Sequence, residues 1–211
     1  LQMENASIGG EAIIQSIGLI DVSNVTAETN SNGEAKATTD LSVLSLEISE
    51  ALKIGGNADF TTQTSAKVNI SSDNIEGDAT SSNNENLGNA YSLAGMQLKG
   101  LDLESDGNFT SVLLDEFNTT ARTVKGDASA STNQSLLGIG FIGEDNQLAG
   151  DVSVSSVMSH TSFTEASSVQ GIAEVDEKLT AVGVQVDALD VEGDAAFSSN
   201  VVVRASSNTE S

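Results

Sequence analysis

The 211-residue chain has no cysteine, no proline and no tryptophan, and it carries a single histidine, His160, and a single tyrosine. Without cysteine there is no disulfide framework, no thiol redox chemistry and no thiolate zinc site. With one histidine, no pair of imidazoles can share a metal. Eight basic residues face 31 acidic ones, a net charge of −23. Such a surface repels phosphate backbones and anionic lipid headgroups, whose binding depends on Lys and Arg. Nucleic acid is therefore not an expected partner. Membrane insertion is not expected either, because no segment approaches the roughly 18 consecutive apolar residues of a spanning helix.

The missing proline also bears on architecture. Average usage is about 5%, and proline, having no N–H to donate, is confined to sheet edges, bulges and turns. Its absence suits a chain whose strands are nearly all central. The 30 Ser, 17 Thr and 17 Asn favour turns and hydroxyl-bearing β surfaces over helix interiors. Leu, Ile, Val and Phe make up about a quarter of the residues, above the roughly 20% below which a charged chain stays unfolded. Composition barely shifts along the chain, so a single all-β domain over 1–211 is expected, with a frayed polar tail at 205–211. Helix is confined to a stretch of mixed spacing at 165–179 and one turn at 49–53.

An internal repeat carries the architecture further. Nine of the nineteen glycines are followed by Asp, Glu or Asn and then by Ala, Val or Phe: Gly10, Gly33, Gly56, Gly77, Gly88, Gly107, Gly126, Gly150 and Gly193. Composition predicts roughly one such triplet by chance, and self-similarity at this scale marks stacked supersecondary units. The spacing is near 22 residues, with Gly88 as a half-step and Gly171 near the middle of the last, double gap. Alternating apolar runs precede the glycines, as at Val182, Val184 and Val186. Smaller residues follow, as at Ala58 and Phe60. Each unit reads as strand, turn, strand, with glycine supplying a positive φ and the neighbouring Asp or Asn bonding the local backbone. The expected fold is a β-solenoid of 22-residue units, and the alternative is an antiparallel β-sandwich of hairpins. In length and strand-turn-strand layout the units resemble curlin-type amyloid repeats. The regular Gln and Asn ladder of those repeats is missing, so the chain is not assigned to that family.

Motifs for chemistry are incomplete. Gly138, Gly140 and Gly143 spell GxGxxG, but Glu144 and Asp145 follow where pyrophosphate would sit, and a glycine-rich buried strand accounts for them better. Asp102, Glu104, Asp106 and Gly107 imitate the first half of a calcium loop whose bidentate twelfth position is Leu113. These three acids are the candidate metal ligands, and structural calcium is the one cofactor entertained. His160, between Ser159 and Thr161, reads as a solvated strand histidine. No constellation of nucleophile and base is present, and the expectation is a protein that is not an enzyme. Six N-x-[ST] sequons, at Asn5, Asn24, Asn69, Asn108, Asn118 and Asn133, mark glycosylation sites if the chain is secreted.

Repetition and acidity with few reactive groups describe a structural protein. The expectation is a subunit of an extracellular filament, sheath or matrix fibre, assembling with copies of itself by strand addition. The apolar run Ile13, Ile14, Ile17, Leu19 and Ile20 marks a donated strand within 8–25, and Val201, Val202 and Val203 mark its acceptor. The alternative is a monomeric repeat module of a large secreted adhesin that binds a surface, a glycan or calcium. The chain begins at Leu1 and shows no basic-then-apolar leader, so it reads as a processed mature form or an excised fragment, with secretion inferred.

Overall fold

A computed structural model describes residues 1–83, 92–143 and 146–211. The described residues are all-β, with no helix. The first circuit of the chain forms β1 (Gln2–Met3), β2 (Ala6–Ile8), β3 (Ala12–Thr29), β4 (Ala35–Thr39) and β5 (Val43–Ile48). The second forms β6 (Leu52–Ile54), β7 (Ala58–Asn74), β8 (Ala79–Asn83) and β9 (Leu93–Leu98). The third forms β10 (Leu101–Leu103), β11 (Gly107–Thr123) and β12 (Ala128–Phe141), and the fourth β13 (Gln147–Leu148), β14 (Val152–Ser168) and β15 (Ala173–Val186). A last half-circuit adds β16 (Asp190–Val191) and β17 (Ala195–Glu210).

Each circuit lays its strands beside those of the previous one. One five-stranded sheet runs β17-β14-β11-β7-β3, a second runs β16-β13-β10-β6-β2, and a seven-stranded sheet holds the remainder. Every described pairing is parallel, from β3 with β7 through β14 with β17. The parallel pairing rules out the antiparallel sandwich of hairpins. The register places Ala12 against Ala58, then Gly107, Val152 and Ala195, so the chain returns to the same place after 46, 49, 45 and 43 residues. The 22-residue spacing of the glycines is thus half a circuit, because successive glycines stand at two different corners.

One corner holds Gly33, Gly77, Gly126 and Gly171, and the other holds Gly10, Gly56, Gly150 and Gly193. At the third circuit the second corner is made by Ser105 and Asp106. Gly107 lies one step further on, inside β11, opposite Ala58 and Val152. Gly88 lies outside the described residues. From the second circuit on, glycine is needed at these corners mainly for space, whereas Gly10 and Gly33 have open room around them. A Cβ on Gly171 would fall 1.9 Å from the carbonyl oxygen of Gly126, one on Gly126 2.5 Å from that of Gly77, and one on Gly193 2.5 Å from that of Gly150. Of the corner glycines only Gly126 has a positive φ, at 135°. Four acids at these corners bond the next circuit. Asp78 Oδ1 accepts the Asp127 N–H at 3.0 Å, Asp127 Oδ1 the Ile172 N–H at 2.8 Å, Asp106 Oδ1 the Asp151 N–H at 3.0 Å and Asp151 Oδ1 the Asp194 N–H at 2.9 Å. Asn74, Thr123 and Ser168 close the first corner by donating to the carbonyls of Gly33, Gly77 and Gly126 at 2.5, 2.7 and 2.7 Å.

Strict alternation sends every second residue of the long sheet inward, as in β7, where Ala58, Phe60, Thr62 and Thr64 are buried and the residues between them face solvent or are half-buried. The interior tapers. At the broad end Phe60 stacks on Phe109 with centroids 5.0 Å apart and planes 7° from parallel, and Phe141 meets Phe109 edge-on at 5.2 Å. A middle cluster contains Val68, Leu113, Phe117, Leu136 and Met158, and the narrow end buries the alanines Ala79, Ala121, Ala128, Ala130 and Ala166, with Ala173 and Val175 packed against them. Between the broad and middle clusters the sheets pinch together. Gly95, Gly138 and Gly183 sit so close to Ser111, Ser156 and Ser199 that an added Cβ would lie 2.1, 1.9 and 1.7 Å from the serine oxygens.

Several expectations are corrected here. The residues of the helical stretch 165–179 are divided between β14, a turn and β15, and 49–53 hold no helical turn. Residues 205–210 continue β17 in register with β14. Gly138 of the GxGxxG match lies within β12 at the pinch, Gly140 is also in the strand, and Gly143 turns the chain with φ 78°. Glu144 and Asp145 lie outside the described residues. The pinch yields a test. Gly138→Ala drives a methyl into Ser156 and the Gly183 carbonyl, so it should cost about 1–3 kcal/mol. Gly140→Ala, whose Cβ meets the movable Leu137 side chain at 2.9 Å, should cost less. Urea unfolding midpoints of the two variants check the order.

Candidate functional site

The long sheet ends in two long strands, β3 and β17. Among the described residues β3 pairs with β7 alone and β17 with β14 alone, leaving one edge of each open. Open edges offer rows of N–H and C=O groups to another chain, and proteins usually blunt them with prolines, charges or bulges. β17 has none of the first and no bulge, and its charged side chains are only Arg204 and Glu210. β3 carries a bulge between Val22 and Val25, with Asn24 at φ 67°, but is regular from Ala12 to Val22.

The residues singled out for assembly fall on these two strands. In β3, Ile14 points inward and is buried, Ile20 is inward and half-buried, and Ile13, Ile17 and Leu19 face outward, 75%, 70% and 73% exposed. In β17, Val201 and Val203 point inward with Phe197, yet they remain 39%, 44% and 46% exposed because no further strand covers them. Val202 faces outward, 36% exposed. Sequence reasoning assigns residues 8–25 to a donated strand. In the structure this segment is paired along one side with its own β7, so its free edge alone is available.

The candidate calcium ligands are engaged otherwise. Lys53 Nζ lies 3.3 Å from Asp102 and 2.6 Å from Glu104, and Asp106 accepts the Asp151 N–H. These contacts raise the Lys53 pKa, first through its hydrogen bond to Glu104 and then through Asp102. Among the described residues no group of three or more acidic or histidine side chains is placed to hold a metal ion. A groove of about 470 Å³ runs across the circuits beside the second corner, with Asp106, Asp151 and Asp194 along one side. All six sequon asparagines face outward. Asn5, Asn24, Asn108 and Asn133 are exposed, whereas Asn69 and Asn118 are half-buried and stacked on each other, Asn118 Nδ2 donating to Asn69 Oδ1 at 2.8 Å.

His160 is not solvated. It lies in phase with Val154, Ser156 and Met158 on the inward side of β14 and is 1% exposed. Its Nδ1 is hydrogen-bonded to Oδ2 of Asp115, its register partner on β11. Phe117 packs beside the imidazole at 6.1 Å between centroids. Asp115 Oδ1 and His160 Nε2 have no hydrogen-bond partner among the described residues. The period-2 pattern of β14 was the signal that could have placed this histidine in the interior. Burial pushes the Asp115 carboxyl above the ordinary carboxylate range, opposed by the hydrogen bond and charge of His160.

A raised carboxyl holds its proton in the folded chain at a pH where the unfolded chain has released it. Its stabilisation is therefore full below about pH 4, the unfolded value, and is lost as pH rises through the folded one. Asp115→Asn should flatten that part of the curve, seen as a smaller fall in Tm between pH 4 and neutrality, about pH 7, than in the parent protein. An unchanged slope would remove Asp115 as its source. Comparison with protein families, with curated proteins and with solved structures finds no match.

Proposed function

We infer that this chain is a non-enzymatic structural subunit built as a β-solenoid, which joins copies of itself by β-strand addition into an extracellular filament, sheath or matrix fibre. The observation that carries this reading is the pair of long open edges at opposite ends of one parallel sheet, the β17 edge without bulge or proline and the β3 edge regular from Ala12 to Val22. Both run in the same direction, so the edge left open at one end is of the kind that the other end completes. The solenoid reading is supported by the parallel register that repeats every 43–49 residues. The extracellular reading is supported by the acidic composition and by sequon asparagines that face outward. High negative charge keeps finished fibres apart laterally unless divalent cations bridge them.

A repeat module of a longer adhesin is the second reading, favoured by the same register, since further circuits of one chain fit the open edges as a second copy does. Negative-stain electron microscopy of the purified chain at micromolar concentration, with and without calcium, separates the two. The expected result is uniform filaments. Dispersed short particles in both conditions would overturn the filament reading and leave the adhesin module.

A further inference from the structure

The geometry points to one particular contact between copies: β17 of one molecule pairs, parallel and in register, with the Ala12–Val22 part of β3 of the next. This inference rests on the filament reading above and adds the partner strand and its register. Continuing the register Ala12, Ala58, Gly107, Val152, Ala195 by one step places Ala195 beside Ala12 of the next copy, and every later residue follows.

Three columns then match. On the inner side Phe197 falls on Ile14, Val201 on Gly18, Val203 on Ile20 and Ala205 on Val22, so Phe197 and Val203 meet apolar side chains and Val201 meets a glycine. On the outer side Val202 falls on Leu19, covering the two exposed aliphatics with each other. The third column is charged. Asp21, Lys67, Glu116, Thr161 and Arg204 stand side by side across the sheet, with Lys67 and Glu116 in an ion pair at 3.2 Å. One more step sets Arg204 against Asp21 of the next copy and continues the alternation of sign. Opposite charges directly across a strand pair are favourable and like charges are not. Beyond the bulge the match ends, because Glu210 would stand on Glu28. In the short sheet the same step sets Val191 on Ile8. The seven-stranded sheet contributes less, since between β15 and the next copy's β5 the intervening strand position holds only β1.

The occupant is therefore a second copy of this chain in one register. An antiparallel pairing of two β17 edges could set Arg204 opposite Glu210 only by overlapping the C-terminal ends of the strands, which would leave Phe197 and Val201 uncovered, and it would bury no residue of β3.

The absence of cysteine makes the contact testable by cross-linking. Residues side by side on parallel strands lie about 4.8 Å apart, within the Cα separation of about 4.4–6.8 Å that a disulfide spans. Within one molecule β3 and β17 are four strand steps apart, about 19 Å, so a Leu19→Cys/Val202→Cys variant can close disulfides only between copies. Mild oxidation should give a ladder of linked multimers on a non-reducing gel. Gln15→Cys/Val202→Cys, four residues out of register, should stay monomeric. Arg204→Asp should raise the concentration needed for assembly roughly fivefold, and Arg204→Asp/Asp21→Arg should restore it. Thermal melts followed by circular dichroism confirm that each variant is folded. Filaments without a ladder, a ladder of equal strength from the out-of-register pair, or linked dimers from Val202→Cys alone would overturn this contact and leave the filament reading standing. Dispersed monomers by microscopy would remove both.

Discussion

Everything in this fold depends on each circuit lying in register on the one before it. Parallel strands pair residue for residue, so a side chain in the long sheet has its counterpart 43–49 residues away as its nearest neighbour. The composition follows from that. Glycine stacks on glycine at the corners because the carbonyl below leaves no room for a Cβ. Serine stacks on serine at the pinch, and phenylalanine on phenylalanine at the broad end. The Asp columns are the least expected result, since like charges at strand spacing repel. Asp78, Asp106, Asp127 and Asp151 offset that repulsion by accepting an N–H of the next circuit, a charge-assisted bond stronger than a neutral one.

The strands themselves were legible in the sequence. Alternation, the absence of proline and the Gly-Asp corners identify an all-β chain and its turn positions, and the apolar runs chosen for assembly are the two outermost strands of the long sheet. The length of the repeat was not legible. Two corners use the same Gly-acid-small grammar, so the motif recurs twice per circuit and the half-period hides the full one. Gly107 shows the same limit, for it satisfies the pattern and yet stands inside a strand. The helical reading of 165–179 came from apolar residues on both sides of the turn that joins β14 to β15, whose combined spacing imitates a helix. The reason for the glycines was hidden as well, because close approach between circuits is a tertiary fact and a local sequence displays only conformational preference.

The site residues divide along the same line. Exposure of Ile13, Ile17 and Leu19 follows from their position on an outward face, which period 2 predicts once the phase of β3 is known. The employment of Asp102 and Glu104 by Lys53 does not, since the lysine arrives from a strand 49 residues earlier. A calcium-loop pattern read along the chain describes neighbours in sequence, whereas in this fold a side chain's closest partners lie across the sheet.

The buried Asp115 and His160 have a consequence for how the stack chooses its alignment. A slip of two residues between β11 and β14 would keep every inward side chain inward, while displacing Phe109, Leu113, Phe117 and Met158 from their neighbours. It would also set Asp115 against Met158 or Ser162, leaving an imidazole and a carboxyl in the interior without each other. Removing one partner of a buried polar pair is costly, and single buried polar contacts are known to fix alignment elsewhere. One acid and one histidine, at the centre of the ladder, therefore add a polar cost of misalignment to the steric one set by its glycines and phenylalanines.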